Sequence, residues 1–126
     1  MTVKEYESEM EVLNENKKAC KNNVETLEYE MMLVSALNTG EKENHELCRL
    51  QVYVNDRYFI NNEMINAISF AIKYLQEEKD YDSVYNSYLD KYAVLANRFI
   101  KISKEEDFKY LANKYLPNSQ VNSLNV

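Results

Sequence analysis

The sequence predicts an all-α fold, an antiparallel helical bundle of four to five helices with a long, coiled-coil-like helix at its N-terminus. Three observations carry that expectation. Tolerable or apolar residues recur at alternating steps of three and four through Val3, Tyr6, Met10, Leu13, Lys17, Cys20, Val24, Leu27, Met31 and Val34, a mean repeat of about 3.5 that keeps one seam facing a partner helix. A wide apolar helical face runs from Met64 to Leu75. Capping signals stand where the periodic runs begin.

In chain order, Thr2 followed by Glu5 has the form of a capping box, hydroxyl and carboxylate each taking an orphan amide of the first turn. Gly40, the sole glycine, offers the left-handed conformation that closes a helix after Asn38 and Thr39. An unbroken first helix would be about 50 Å long. Lys17 on the seam, with Asn16, Asn22 and Asn23 around it, marks 17–23 as a candidate break. Residues 41–60 read two ways. Glu43, Leu47, Leu50, Val54 and Tyr58 fit one helical face. Leu50, Val52 and Val54 also alternate with polar or aromatic neighbours ahead of Asn55 and Asp56, which leaves an α+β alternative with a small β-hairpin at about 50–60. A helix entered at Asn61 or Asn62 carries Met64, Ile65, Ile68, Ala71, Ile72 and Leu75 and ends in the charged run 76–79. Asp82 can cap the next, in which Tyr81, Tyr85, Tyr88, Tyr92, Leu95, Phe99 and Ile102 step by four and three. Ser103 with Glu106 has capping-box spacing and opens a last helix with Phe108, Leu111, Ala112 and Tyr115, which Pro117 stops. These signals give one helical domain over 1–117 and a disordered C-terminal tail over 118–126.

A chain of 126 residues can bury one core without disulfides or metals, and 45% hydrophobic with 29% charged residues is ordinary for a globular protein. No apolar run approaches the roughly 20 residues of a membrane span, and the charged N-terminus lacks a signal-peptide pattern. Cys20 and Cys48 suit a reducing compartment, each as a small buried hydrophobe. The expected setting is soluble and cytoplasmic, with no membrane partner.

Little in the sequence carries chemistry. One glycine excludes glycine-rich phosphate loops of either type. His45 is the only histidine, and His45 with Cys48 falls short of the four ligands of a zinc site. Lys42 stands where a di-iron bundle needs a glutamate, and Asp80-Tyr81-Asp82 lacks the glycine and closing glutamate of a calcium loop. No catalytic residue, cofactor or metal is expected. A net charge of −6, with Lys17, Lys18 and Lys21 as the only basic cluster, argues against direct binding of nucleic acid.

What remains is contact. The candidate interface residues are Val24, Leu27, Met31 and Val34 on the seam, and Tyr81, Tyr85, Tyr88 and Tyr92 in the aromatic stripe, each able equally to close the chain's own core. Glu5, Glu7, Glu9, Glu11 and Glu15 form an acidic face, with like charges four apart. The sequence points to a non-enzymatic protein–protein interaction module (adaptor, chaperone-like or assembly factor) that forms a homo-oligomer through helix 1. The alternative is a small acidic inhibitor, of the kind phages and mobile elements encode, that blocks a host nucleic-acid-binding protein by presenting carboxylates in place of phosphates.

Overall fold

The computed structural model describes residues 1–40, 44–78 and 83–116. Four helices follow in order: α1 (Val3–Leu37), α2 (His45–Glu78), α3 (Ser83–Ser103) and α4 (Glu106–Tyr115). The fold is an all-α bundle with no strand among the described residues.

The capping box at the start of α1 forms as the sequence requires. Glu5 donates its amide to Thr2 Oγ1 at 3.1 Å and Thr2 donates its own to Glu5 Oε2 at 3.3 Å. The helix then runs unbroken for 35 residues, so the break expected at 17–23 is absent. Packing overrides the poor propensity there. Leu13, Cys20, Leu27 and Val34, one heptad apart, are all buried, and each fully buried leucine or valine contributes roughly 1.5–3 kcal/mol. Asn38 ends the helix and its amide reaches back to Val34 O. Gly40 does take a positive φ of 82°, but two residues beyond that cap.

Residues 45–78 form one helix of 34 residues, which replaces both the hairpin alternative and the separate helix entered at Asn61 or Asn62. Its opening is capped by Asn44, whose Oδ1 accepts from the Leu47 amide at 3.1 Å. Asn55 and Asp56 lie on its solvent side and make no turn. The buried positions explain the continuity. Leu47, Leu50, Val54, Arg57, Asn61, Met64, Ile68, Ala71 and Leu75 alternate steps of three and four without interruption, and all are buried.

Cross-links fix the directions. Ser35, Glu28 and Cys20 of α1 meet Gln51, Tyr58 and Asn61 of α2, so the two rods are antiparallel. In turn α3 lies antiparallel to α2, with Tyr88 on Phe70 and Lys91 near Glu63. The break between α3 and α4 falls at Lys104 and Glu105, and α4 then continues along the first turns of α2. The expected capping box at Ser103 and Glu106 is not made: Glu105 is the N-cap of α4, with no side-chain cap bond. Ser103 instead turns inward.

The core has two parts. The larger is built by α1, α2 and α3, from Leu13 and Leu75 up to Leu27, Ile60 and Phe99. In the smaller, Phe108, Leu111, Ala112 and Leu116, from α4 and its C-cap, close over Val34, Leu50 and Val54. Three expectations, the Asp82 cap, the stop at Pro117 and the tail over 118–126, lie outside the described residues, as does Tyr81.

Candidate functional site

Between the two parts of the core lies a buried polar centre to which every helix contributes. The Arg57 guanidinium of α2 donates from Nη1 to Glu30 Oε2 of α1 at 2.8 Å and from Nε to Ser103 Oγ of α3 at 3.0 Å. Its planar face is enclosed by aromatic rings, Phe99 of α3 at 5.2 Å and Phe108 of α4 at 4.7 Å from ring centroid to guanidinium carbon. Both members of the ion pair have side chains 0% exposed. Burial pushes the Glu30 carboxyl above its ordinary range and the Arg57 guanidinium below its own, and each partner's charge opposes the other's shift. Arginine does not give up its proton in proteins, and a carboxylate at 2.8 Å with two ring faces suits a guanidinium, so the pair stands ionised. Glu30 Oε1 and Arg57 Nη2 are buried with no protein partner. The desolvation of the pair is therefore only partly offset. Sealed in this way, the centre can fix how four helices register but cannot receive a substrate.

The sequence-selected residues divide between interior and surface. On the seam, Leu27 and Val34 are fully buried against α2, while Val24 and Met31 are half-buried at its rim. Tyr85 is buried and donates its hydroxyl to Glu9 Oε1 at 2.9 Å. Tyr88 stacks on Phe70 with centroids 5.4 Å apart. Tyr92 is half-buried against Cys20, and burial with that thiol beside it pushes its hydroxyl up to about 12. The three described tyrosines thus close α3 onto its neighbours. Of the acidic face, Glu9 is engaged by Tyr85 and Glu5 by the cap, while Glu7, Glu11 and Glu15 are exposed. Cys48, expected to be buried, is exposed beside His45 on the first turn of α2, where its sulfur accepts from Asn38 Nδ2 at 3.7 Å. Among the described residues no three His, Cys, Asp or Glu side chains converge as a metal site would need. No described helix is long and apolar enough to cross a membrane.

A surface feature escaped sequence reasoning altogether. Tyr29 and Met32 of α1 and Val52 and Phe59 of α2, at outward positions of the two rods, are 55%, 70%, 59% and 64% exposed. The Tyr58–Glu28 and Gln51–Ser35 contacts place them at the same level of the two rods. Further along the two rods the equivalent heptad positions are polar: Glu11, Glu15, Lys18, Asn22 and Glu25 on α1, Asn66 and Lys73 on α2. The signal lay in the sequence as apolar residues at outward heptad positions, visible only once the α2 seam is traced through Arg57. No family model, no curated protein and no solved structure matches the chain.

Proposed function

We propose that the protein is a non-enzymatic interaction module of the cell interior that works by protein–protein contact and self-associates through helix α1. The observation that supports this is the exposure of Tyr29 and Met32 on α1 and of Val52 and Phe59 at the same level of α2. Large apolar side chains left exposed on a folded chain are where protein partners dock. Such docking uses the outward positions of α1, because the inward seam residues Leu27 and Val34 are occupied by the chain's own core. A two-fold contact, patch on patch, would bury these side chains symmetrically.

Light scattering tests the reading. The unmodified chain at tens of micromolar should have the mass of a dimer or larger species, and a Met32→Glu, Phe59→Glu double variant with unchanged circular dichroism should be monomeric. Both positions are exposed, so the substitutions leave the core intact. An unmodified chain that stays monomeric at high micromolar concentration would overturn self-association. Neutralising Glu7, Glu11 and Glu15 to Gln should leave the mass unchanged. If capture of a nucleic-acid-binding protein were instead lost with that change, the acidic-inhibitor reading would replace this one.

A further inference from the structure

The large apolar side chains that α2 and α3 leave exposed are not scattered. They are Val52, Phe59 and Phe70 on α2 and Val84 and Val94 on α3. On α2 they fall on one line of alternating four- and three-residue steps, Val52, Asp56, Phe59, Glu63, Asn66 and Phe70, and on α3 on another, Val84, Ser87, Lys91, Val94, Arg98 and Lys101. That is the spacing of a coiled-coil seam. Neither line is the one these helices turn to their own core, which on α2 runs through Leu50, Arg57, Met64 and Ala71 and on α3 through Leu95 and Phe99.

The two lines border one groove. Phe70 stacks on Tyr88, which stands between Val84 and Lys91 on α3, with ring centroids 5.4 Å apart, and Lys91 Nζ comes within 3.8 Å of Glu63 Oε2. Phe70 is nevertheless 53% exposed and the Lys91 side chain 57%, so these contacts leave both half in solvent.

Charge is sorted across the groove. Its α2 border carries Asp56 and Glu63, whereas α3 holds one acid, Asp90, against Lys91, Arg98 and Lys101. Neither Arg98 nor Lys101 has an ion pair among the described residues, in a chain whose net charge is −6. Two exposed seams side by side accept a helix as the next rod of a bundle, its own apolar row filling the groove and its two flanking rows meeting the borders. Complementary charge requires the row over α3 to be acidic and the row over α2 to be basic.

We propose that the outer α2–α3 groove docks an amphipathic helix of a partner protein, one whose apolar seam is flanked by carboxylates on the α3 side and by cations on the α2 side. The α3 line is about 26 Å long, which holds two to three heptads of such a helix. This surface is additional to the one through which the chain self-associates: Tyr29 and Met32 of α1 take no part, and Val52 and Phe59, at one end of the α2 line, are the residues in common.

Two labelled three-heptad peptides serve as probes, both with leucine at the seam positions. The first has glutamate along one flank and lysine along the other, and the second has lysine along both. Fluorescence anisotropy at low salt should show the first binding on the order of tenfold more tightly, as two unpaired cations gaining partners at a rim would give. Arg98→Glu with Lys101→Glu should reverse that order, a result that loss of folding cannot produce. Phe70→Ser with Val94→Ser should weaken binding roughly tenfold or more at unchanged circular dichroism, and Met32→Glu should leave it as it is. Equal binding of the two peptides, binding of neither, or binding indifferent to Phe70→Ser and Val94→Ser would overturn the proposal. So would a homodimer broken by that pair of substitutions, which would give the groove to a second copy. A chain that fails to self-associate through Met32 and Phe59 refutes the self-association reading alone and leaves these expectations in place.

Discussion

Glu30→Gln is the sharpest perturbation of the polar centre. Glutamine keeps the shape and one acceptor but leaves the Arg57 guanidinium, fully buried, with no counter-charge. Breaking a buried pair from one side costs about 3–5 kcal/mol, against a total stability of roughly 5–15. For a chain of this size that is a fall in Tm on the order of 10–20 °C. Arg57→Met strands the other partner, with a different consequence. A carboxyl can take up a proton where a guanidinium cannot lose one, and burial already raises Glu30. A group raised in the folded state gives stability that is present below its unfolded value, near 4.5, and lost as pH rises through the folded value. Relative to wild type, Arg57→Met should therefore cost several kcal/mol at pH 7 and distinctly less near pH 4.5, while the Glu30→Gln cost should barely change. The double variant Glu30→Met with Arg57→Met should recover most of the loss, since well-packed apolar replacements of buried pairs are often neutral or stabilising. Urea unfolding followed by circular dichroism at the two pH values measures all of this. A Glu30→Gln cost below about 1 kcal/mol, or an Arg57→Met cost equal at both pH values, would refute the reasoning.

Tyr92 predicts an alkaline limit. Its hydroxyl is pushed up to about 12 by burial and by the Cys20 thiol, so the stability it provides is complete below pH 10 and lost by about pH 12. Stability measured at pH 9 and 11 should fall further in the unmodified chain than in Tyr92→Phe, by on the order of 1 kcal/mol or less, with part of the shift discounted for solvent near the half-buried ring. At the acid end, the Arg49 guanidinium holds the Asp107 carboxyl below its usual value and the Lys114 ammonium does the same for Glu46. Both contributions are present above the ordinary carboxylate values and lost as pH falls from those values through the lowered ones, so amide protection factors over 106–115 should drop as pH falls below about 4, before those of 60–75 do. Equal loss in both segments would show that α4 is not separately fastened.

The α1 seam was legible because its buried residues, Leu13, Cys20, Leu27 and Val34, are apolar or nearly so and return every seventh position. The α2 seam obeys the same rule and was misread at one place, where Arg57 and Asn61 occupy core positions. A charged residue reads as an interruption of an apolar face, and the outward Val52 and Phe59 beside it then imitate the alternation of a strand. Glu30 was hidden differently, buried beside the seam among glutamates that face solvent. Ser103 supplied a plausible cap that the fold does not use. These three concern polar groups whose burial depends on partners far away in the chain, which no local periodicity records.

The same residues explain why the core is divided where it is. Below Arg57 the third rod of the bundle is α3, above it α4, and the two present their apolar sides half a turn out of phase. At the changeover neither helix can fill the space with a continuous apolar row. A long side chain that is apolar along its stem, planar at its tip and charged can meet Phe99 from one helix, Phe108 from the other and Ser103 at the end of the first, while Glu30 balances its charge from the far side. A polar residue at a single seam position is also a means of fixing register, because any heptad slip of α1 along α2 would move Glu30 away and strand the guanidinium. The double apolar variant that restores stability should for this reason also lose the uniqueness of the pairing. Broadened or doubled amide resonances from Leu27 to Val34, in a chain as stable as wild type, would show that the pair selects the alignment more than it strengthens it.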